Sequence, residues 1–145
     1  LTSDEIRLLS DLGFMAIQTG HVVPALGIFH ALRVLRPQHA FPFIGIALSH
    51  VARGAVRDAV SVLLEGEAIV TVERDDFLLY QGLALSLAGA SKASEGILAS
   101  LAARNSLGEA QRFFLEKMLQ KKHLKGLNMA RPSPAKVFSK SSEES

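Results

Sequence analysis

The sequence contains no cysteine, no tryptophan, one tyrosine and five prolines in 145 residues. Without cysteine there is no disulfide and no thiolate metal site, which fits a cytosolic protein. No apolar run approaches the roughly 18 residues of a membrane-spanning helix, so insertion into a bilayer is not expected. Leu1 to Gly20 lacks the basic start and long apolar centre of a secretory leader. Signatures of chemistry are missing as well. There is no Gly-x-Ser-x-Gly elbow, no glycine-rich phosphate loop and no His-Glu-x-x-His pair. His21, His30, His39, His50 and His123 have no carboxylates at ligand spacing and read as turn or surface residues. Asp75 and Asp76 read as charges at the positive end of a helix. The expectation is therefore no enzyme, no cofactor and no metal.

What is present is a sizeable apolar fraction, 48%, against 21% charged residues, enough for one domain with its own core. Charge is unevenly placed. Residues 1–116 carry 9 basic and 12 acidic side chains, whereas residues 117–145 carry 7 and 2, so the high isoelectric point belongs to the C-terminal end.

Helical periodicity covers most of the chain. Thr2-Ser3-Asp4-Glu5 is a capping box ahead of Ile6, Leu9, Leu12, Gly13, Ala16 and Ile17. Gly20 closes that helix, and a second carries Ala25, Leu26, Phe29, Leu32 and Leu35 inward until Pro37 stops it. Phe41 to Arg53 and Arg57 to about Glu67 make the third and fourth helices. Val70-Thr71-Val72 reads as an irregular connector, because a strand of three residues would have no partner. Phe77 to Ala88 and Ser91 to Ala103 make the fifth and sixth, with Ala93, Ile97, Leu98 and Leu101 inward. Ser106-Leu107-Gly108-Glu109 is a second capping box, opening a seventh helix to about Leu124. Residues 126–145 are basic and rich in proline and serine, the composition of a tail that is disordered alone.

A period of 34 residues runs through this order. The turn glycines are Gly20, Gly54 and Gly89. The packing alanines are Ala25, Ala59 and Ala93, each followed one turn later by Phe29, Leu63 and Ile97. The small residues at the helix crossings are Gly13, Ala47 and Gly82. A small residue lets two helices cross closely, and a large one fills the space beside it. The period is that of a helix–turn–helix solenoid.

These residues resemble the tetratricopeptide repeat, most clearly in Leu12-Gly13, Ala25, Phe29 and Pro37. The second and third copies depart from the pattern, with Ala47 for glycine, Gln81 for leucine and Thr71 for proline. The resemblance implies an all-α fold: three hairpins at about 6–39, 40–73 and 74–107, and a capping helix over 107–125. Together they would form a short right-handed solenoid with a concave groove within a domain spanning 1–125. It also implies which positions face the groove. These are Arg7, Ser10, Phe14 and Ile17, then Phe41, Ile44, Leu48 and Val51, then Asp76, Leu79, Leu83 and Ser86. The middle of that groove is apolar, which a protein leaves uncovered only at a cost. It offers no lysine, arginine or asparagine in its central positions to grip a C-terminal carboxylate, and it suits an amphipathic helix or an extended apolar segment.

A longer run, Leu8-Leu9, Leu12-Gly13, Gln18, Gly20-His21, Ala25, Ala31-Leu32, Leu35, Pro37 and His39, resembles the small tetratricopeptide chaperones of bacterial type III secretion systems. They include the chaperones of needle subunits and of small early-export proteins. The resemblance implies a cytoplasmic bacterial protein that sequesters the apolar helix of a secreted or needle-type client, with Phe14, Ile17, Phe41, Ile44, Leu48, Val51, Leu79 and Leu83 as the binding residues. Two alternatives stand beside it: a scaffold unrelated to secretion, and a homodimer that closes the groove. The lysines at 117, 121, 122 and 125 could meet nucleic acid. With no interleaved aromatics beyond Phe138 they read as a solvated helix end, and no nucleic-acid partner is expected.

Overall fold

The computed structural model describes the backbone of residues 1–129 and the side chains of residues 1–120. The helices are α1 (Ser3–Gln18), α2 (Val22–Leu35), α3 (Ala40–Ala52), α4 (Val56–Gly66), α5 (Arg74–Leu87), α6 (Ser91–Ala102) and α7 (Glu109–Met129). Two compact units divide the chain, Leu1–Leu107 and Gly108–Ser145. In the first unit α1 pairs with α2, α3 with α4 and α5 with α6. In addition, α3 touches α1, α2 and α5, while α4 touches α5. That is the expected array of three hairpins.

Local chemistry sets the ends. The Thr2 hydroxyl accepts from the Glu5 amide at 3.1 Å, and the Glu5 carboxylate accepts from the Thr2 amide at 2.8 Å, a complete capping box. Gly20, Gly54 and Gly89 take φ values of 84°, 81° and 85°, left-handed backbone that lets each hairpin turn without a Cβ clash. The second capping box does not form. The Ser106 hydroxyl instead donates to Asp75 at 2.8 Å, and the Gly108 amide is met by Gln111 at 2.8 Å.

The core of the first hairpins is organised by Phe29, which is fully buried. Its ring lies where Cβ atoms on Gly13 and Gly45 would fall at 2.7 and 2.3 Å, so both crossings require the bare backbone. Burying a phenylalanine side chain stabilises by about 2–3 kcal/mol. Leu32 and Ile46 pack in the same cluster, joining α2 to α3.

The repeat register differs from the sequence reading in the third hairpin. Ala93 is exposed, and Ser94 takes the packing position of Ala25 and Ala59, its hydroxyl donating to the Gly82 carbonyl at 2.8 Å. Likewise Leu98, fully buried, replaces Ile97 beside Gly82. Both columns therefore step by 34 and then 35 residues, as the turn-glycine and helix-crossing columns do. The extra residue falls between α4 and α5, where Glu73 takes left-handed backbone at φ 62°.

The connector before α5 also has a partner. The amides of Thr71 and Val72 donate to the Gln38 carbonyl at 3.0 and 3.1 Å, and the Ala40 amide donates to Val72 at 3.1 Å. A parallel bridge thus ties Val72 to His39, and the loop after α2 satisfies the backbone that the β-branched run leaves open. Helix α7 continues to Met129, past the expected end. One interior glycine, Gly126, costs only about 1 kcal/mol, and the next proline is Pro132. Of the tail expected over 126–145, residues 126–129 are therefore helical and 130–145 lie outside the described residues.

Candidate partner-binding groove

The groove is a property of the first unit, where α1, α3 and α5 are the first helices of successive hairpins. On α1, Phe14 and Ile17 are half-buried, because the turn that carries them also carries Gly13 over Phe29. The Phe14 ring is tilted against Phe29 at 4.7 Å between centroids, and Phe14 packs on both core clusters. On α3, Phe41, Leu48 and Val51 are half-buried, and on α5 so is Leu83. Each holds one side against the core and leaves the other open.

Ile44 and Leu79 sit differently. They are 5% and 3% exposed, so they support the floor and present almost no area to a partner. Both stand three residues before a small residue at a crossing, Ala47 and Gly82. The expectation that they would line the surface is corrected on this point.

Two depressions follow the groove positions. One, about 30 Å³, is lined by Ala47, Leu48, Val51, Leu63, Tyr80, Leu83, Ala84 and Leu87. It joins three of the expected residues, Leu48, Val51 and Leu83. It adds Tyr80 and Leu87, which the repeat pattern did not assign. Their signal was in the sequence, since Tyr80, Leu83 and Leu87 follow one another at three and four residues on α5. Burial pushes the Tyr80 hydroxyl above its ordinary pKa, with Asp76 adding to the effect, so it stays a neutral hydrogen-bonding group.

The other depression, about 390 Å³, lies where the start of α1 meets the loop before α3. It is lined by Ser3, Ile6, Arg7, Ser10, Asp11, Arg36, His39, Phe41 and Glu73. Phe41 here stands edge-on to the His39 ring at 5.7 Å. Arg7 and Ser10 were expected to face the groove; Arg36, His39 and Glu73 come from loops that no helical period could place. Two guanidiniums and two carboxylates share this end, so its formal charge balances. The groove therefore runs from a polar, mixed-charge end at Arg7 and Phe41 to an apolar end at Leu48 and Leu83.

Among the described residues no helix is long and apolar enough to cross a membrane, and no group of three or more metal-ligating side chains gathers.

Neither a protein family's sequence profile nor a curated protein sequence matches the chain. Solved structures do. The fold is that of small type III secretion chaperones built from tetratricopeptide-like hairpins, the class that the sequence resembles. The chain is similar to the type III secretion translocator chaperone SycD of Yersinia enterocolitica, with 23% identity, a TM-score of 0.64, and 87% of this chain and 88% of that one covered. It is equally similar to PcrH, solved in complex with the chaperone-binding region of PopD, with 23% identity, a TM-score of 0.64, and coverage of 87% and 96%.

Proposed function

We propose that this protein is a cytoplasmic chaperone of a type III secretion system, non-enzymatic, which sequesters an apolar segment of a secreted client in the groove of its first unit. The observation that carries this reading is the row of half-buried apolar side chains on three successive helices, Phe14, Ile17, Phe41, Leu48, Val51 and Leu83. It occurs in a fold whose solved relative PcrH holds a region of PopD. An amphipathic helix laid on that row is removed from water at about 25 cal/mol per Å² of apolar area, offset in part by the entropy of ordering the client. The mixed-charge end at Arg7, Arg36, Asp11 and Glu73 supplies register, since a charged residue beside the client's apolar run gains only when it faces the opposite sign. SycD is a translocator chaperone, and this favours a translocator over a needle subunit as client.

The test is recovery of partners from the native host with the full chain as bait, read by mass spectrometry. Leu48→Asp and Leu87→Asp serve as matched baits. Each should lose a small secreted protein with an apolar helix, at about 2 kcal/mol or roughly thirtyfold in affinity, with helicity unchanged. Equal recovery by wild type and both variants rejects the groove as the site. A stable dimer split by Leu87→Asp means that self-association fills the groove instead.

A further inference from the structure

A charged clasp closes the hairpin of α3 and α4. Arg53, just before the turn glycine Gly54, donates from Nε and Nη2 to Nδ1 of His50 at 3.2 and 3.0 Å. The same Nη2 reaches the Asp58 carboxylate at 3.4 Å. His50 stands in the last turn of α3 and Asp58 in the first turn of α4. One guanidinium therefore ties the two helices together across the turn. At the corresponding positions the first hairpin has Ala16, Thr19 and Pro24, and the third has Leu85, Ala88 and Ala93. Neither set carries a charge, so the clasp belongs to the central hairpin alone.

The clasp dictates a protonation state. Arginine only donates, so His50 Nδ1 must accept, and only a neutral imidazole offers that lone pair. A helix C-terminus by itself favours the imidazolium. Here burial opposes it first and the Arg53 guanidinium second; the Asp58 carboxylate of α4 works the other way, and His30 of α2 adds to the opposition. Among the described residues α1 and α5, which also touch α3, add no charge to this set. The balance lowers the His50 pKa from its ordinary 6.5. The unfolded chain therefore takes up this proton first as pH falls, and the stability present above about pH 6.5 is lost as pH drops through the lowered value. Protonation also removes the acceptor and sets two cations side by side.

The clasp adjoins the wall of the apolar depression. Leu48 and Val51 stand on either side of His50 in α3, and with Leu63 of α4 they line that depression. We propose that His50 is a proton-operated latch on the central hairpin. Neutral, it holds Arg53 across the turn; protonated, it frees the turn and loosens the wall formed by Leu48, Val51 and Leu63. The latch is a property of the free chain and needs no client.

The experiment is nuclear magnetic resonance on the full chain alone, between about pH 7.5 and about pH 5. The His50 ring should titrate at lower pH in the folded chain than in the same chain in urea. Across that step the Ala55 amide, which donates to the His50 carbonyl at 2.8 Å, should lose hydrogen-exchange protection, and the methyl signals of Leu48, Val51 and Leu63 should shift. His50→Asn, whose amide oxygen accepts in place of Nδ1 without titrating, should keep the Ala55 protection at both ends of the range. Arg53→Met removes the donor and leaves His50 to titrate. It should show the acid-form protection and methyl positions already at the upper pH, with helicity unchanged. The proposal is overturned if the folded ring titrates at or above its value in urea, or if Ala55 protection and the three methyl signals do not change with pH. It is equally overturned if His50→Asn loses protection in acid as the wild type does, or if Arg53→Met protects Ala55 as the wild type does.

Discussion

At the scale of single residues, the column Leu12, Ile46 and Gln81 separates three environments of one repeat position. Leu12 faces water, Ile46 fills the contact with α2, and Gln81 places an amide where the repeat prefers leucine. Gln81 is buried, and its Oε1 has no hydrogen-bond partner among the described residues. A buried acceptor left unpaired costs about 1–3 kcal/mol. Gln81→Leu is therefore expected to stabilise the chain by about 1–2 kcal/mol, read as a higher denaturation midpoint in urea with an unchanged slope. A lower midpoint would mean that the amide nitrogen's contacts outweigh the unpaired oxygen. Ser94 is the instructive contrast: it is equally buried in an alanine column, but its hydroxyl reaches the Gly82 carbonyl. Such differences were not legible in the sequence. Gln81 breaks the apolar pattern and Ser94 loses its column to Ala93 on residue type, and only the geometry tells which of the two is satisfied.

At the scale of elements, the helices were legible because glycine and proline punctuate them and the apolar period is regular. The third hairpin's register was not, because Ala93 and Ile97 fit the 34-residue columns as well by residue type as Ser94 and Leu98 fit the 35-residue ones. The chain absorbs the extra residue ahead of α5, at Glu73. Left-handed backbone costs a residue with a Cβ about 1–2 kcal/mol, whereas glycine adopts it freely but loses more entropy on folding. The first effect exceeds the second, so Glu73→Gly is expected to raise stability by about 0.5 kcal/mol, and Glu73→Ile to lower it by more than 1 kcal/mol. Thermal unfolding of the two variants checks both signs. If Glu73→Ile unfolds with the wild type, the turn before α5 is not held in that conformation in solution. The groove was legible to the extent that it follows helical period. Its polar end was not, because Arg36, His39 and Glu73 reach it from loops.

At the scale of the whole molecule, α1 serves two faces. Phe14 opens toward the groove, and Leu12, two residues earlier and therefore about 160° away around the helix, faces outward. The core residues Ile6 and Gly13 lie between them and hold the helix by Phe29. Phe14 and Leu83 reach the groove from α1 and α5, and only Leu83 lines the apolar depression, so their contributions to a client should add. Phe14→Ala and Leu83→Ala are each expected to weaken the groove client by about 1–2 kcal/mol, and the double variant by the sum. Calorimetric titration of the four chains with the client makes the measurement. A coupling above about 1 kcal/mol would show that α1 and α5 shift together as the client binds.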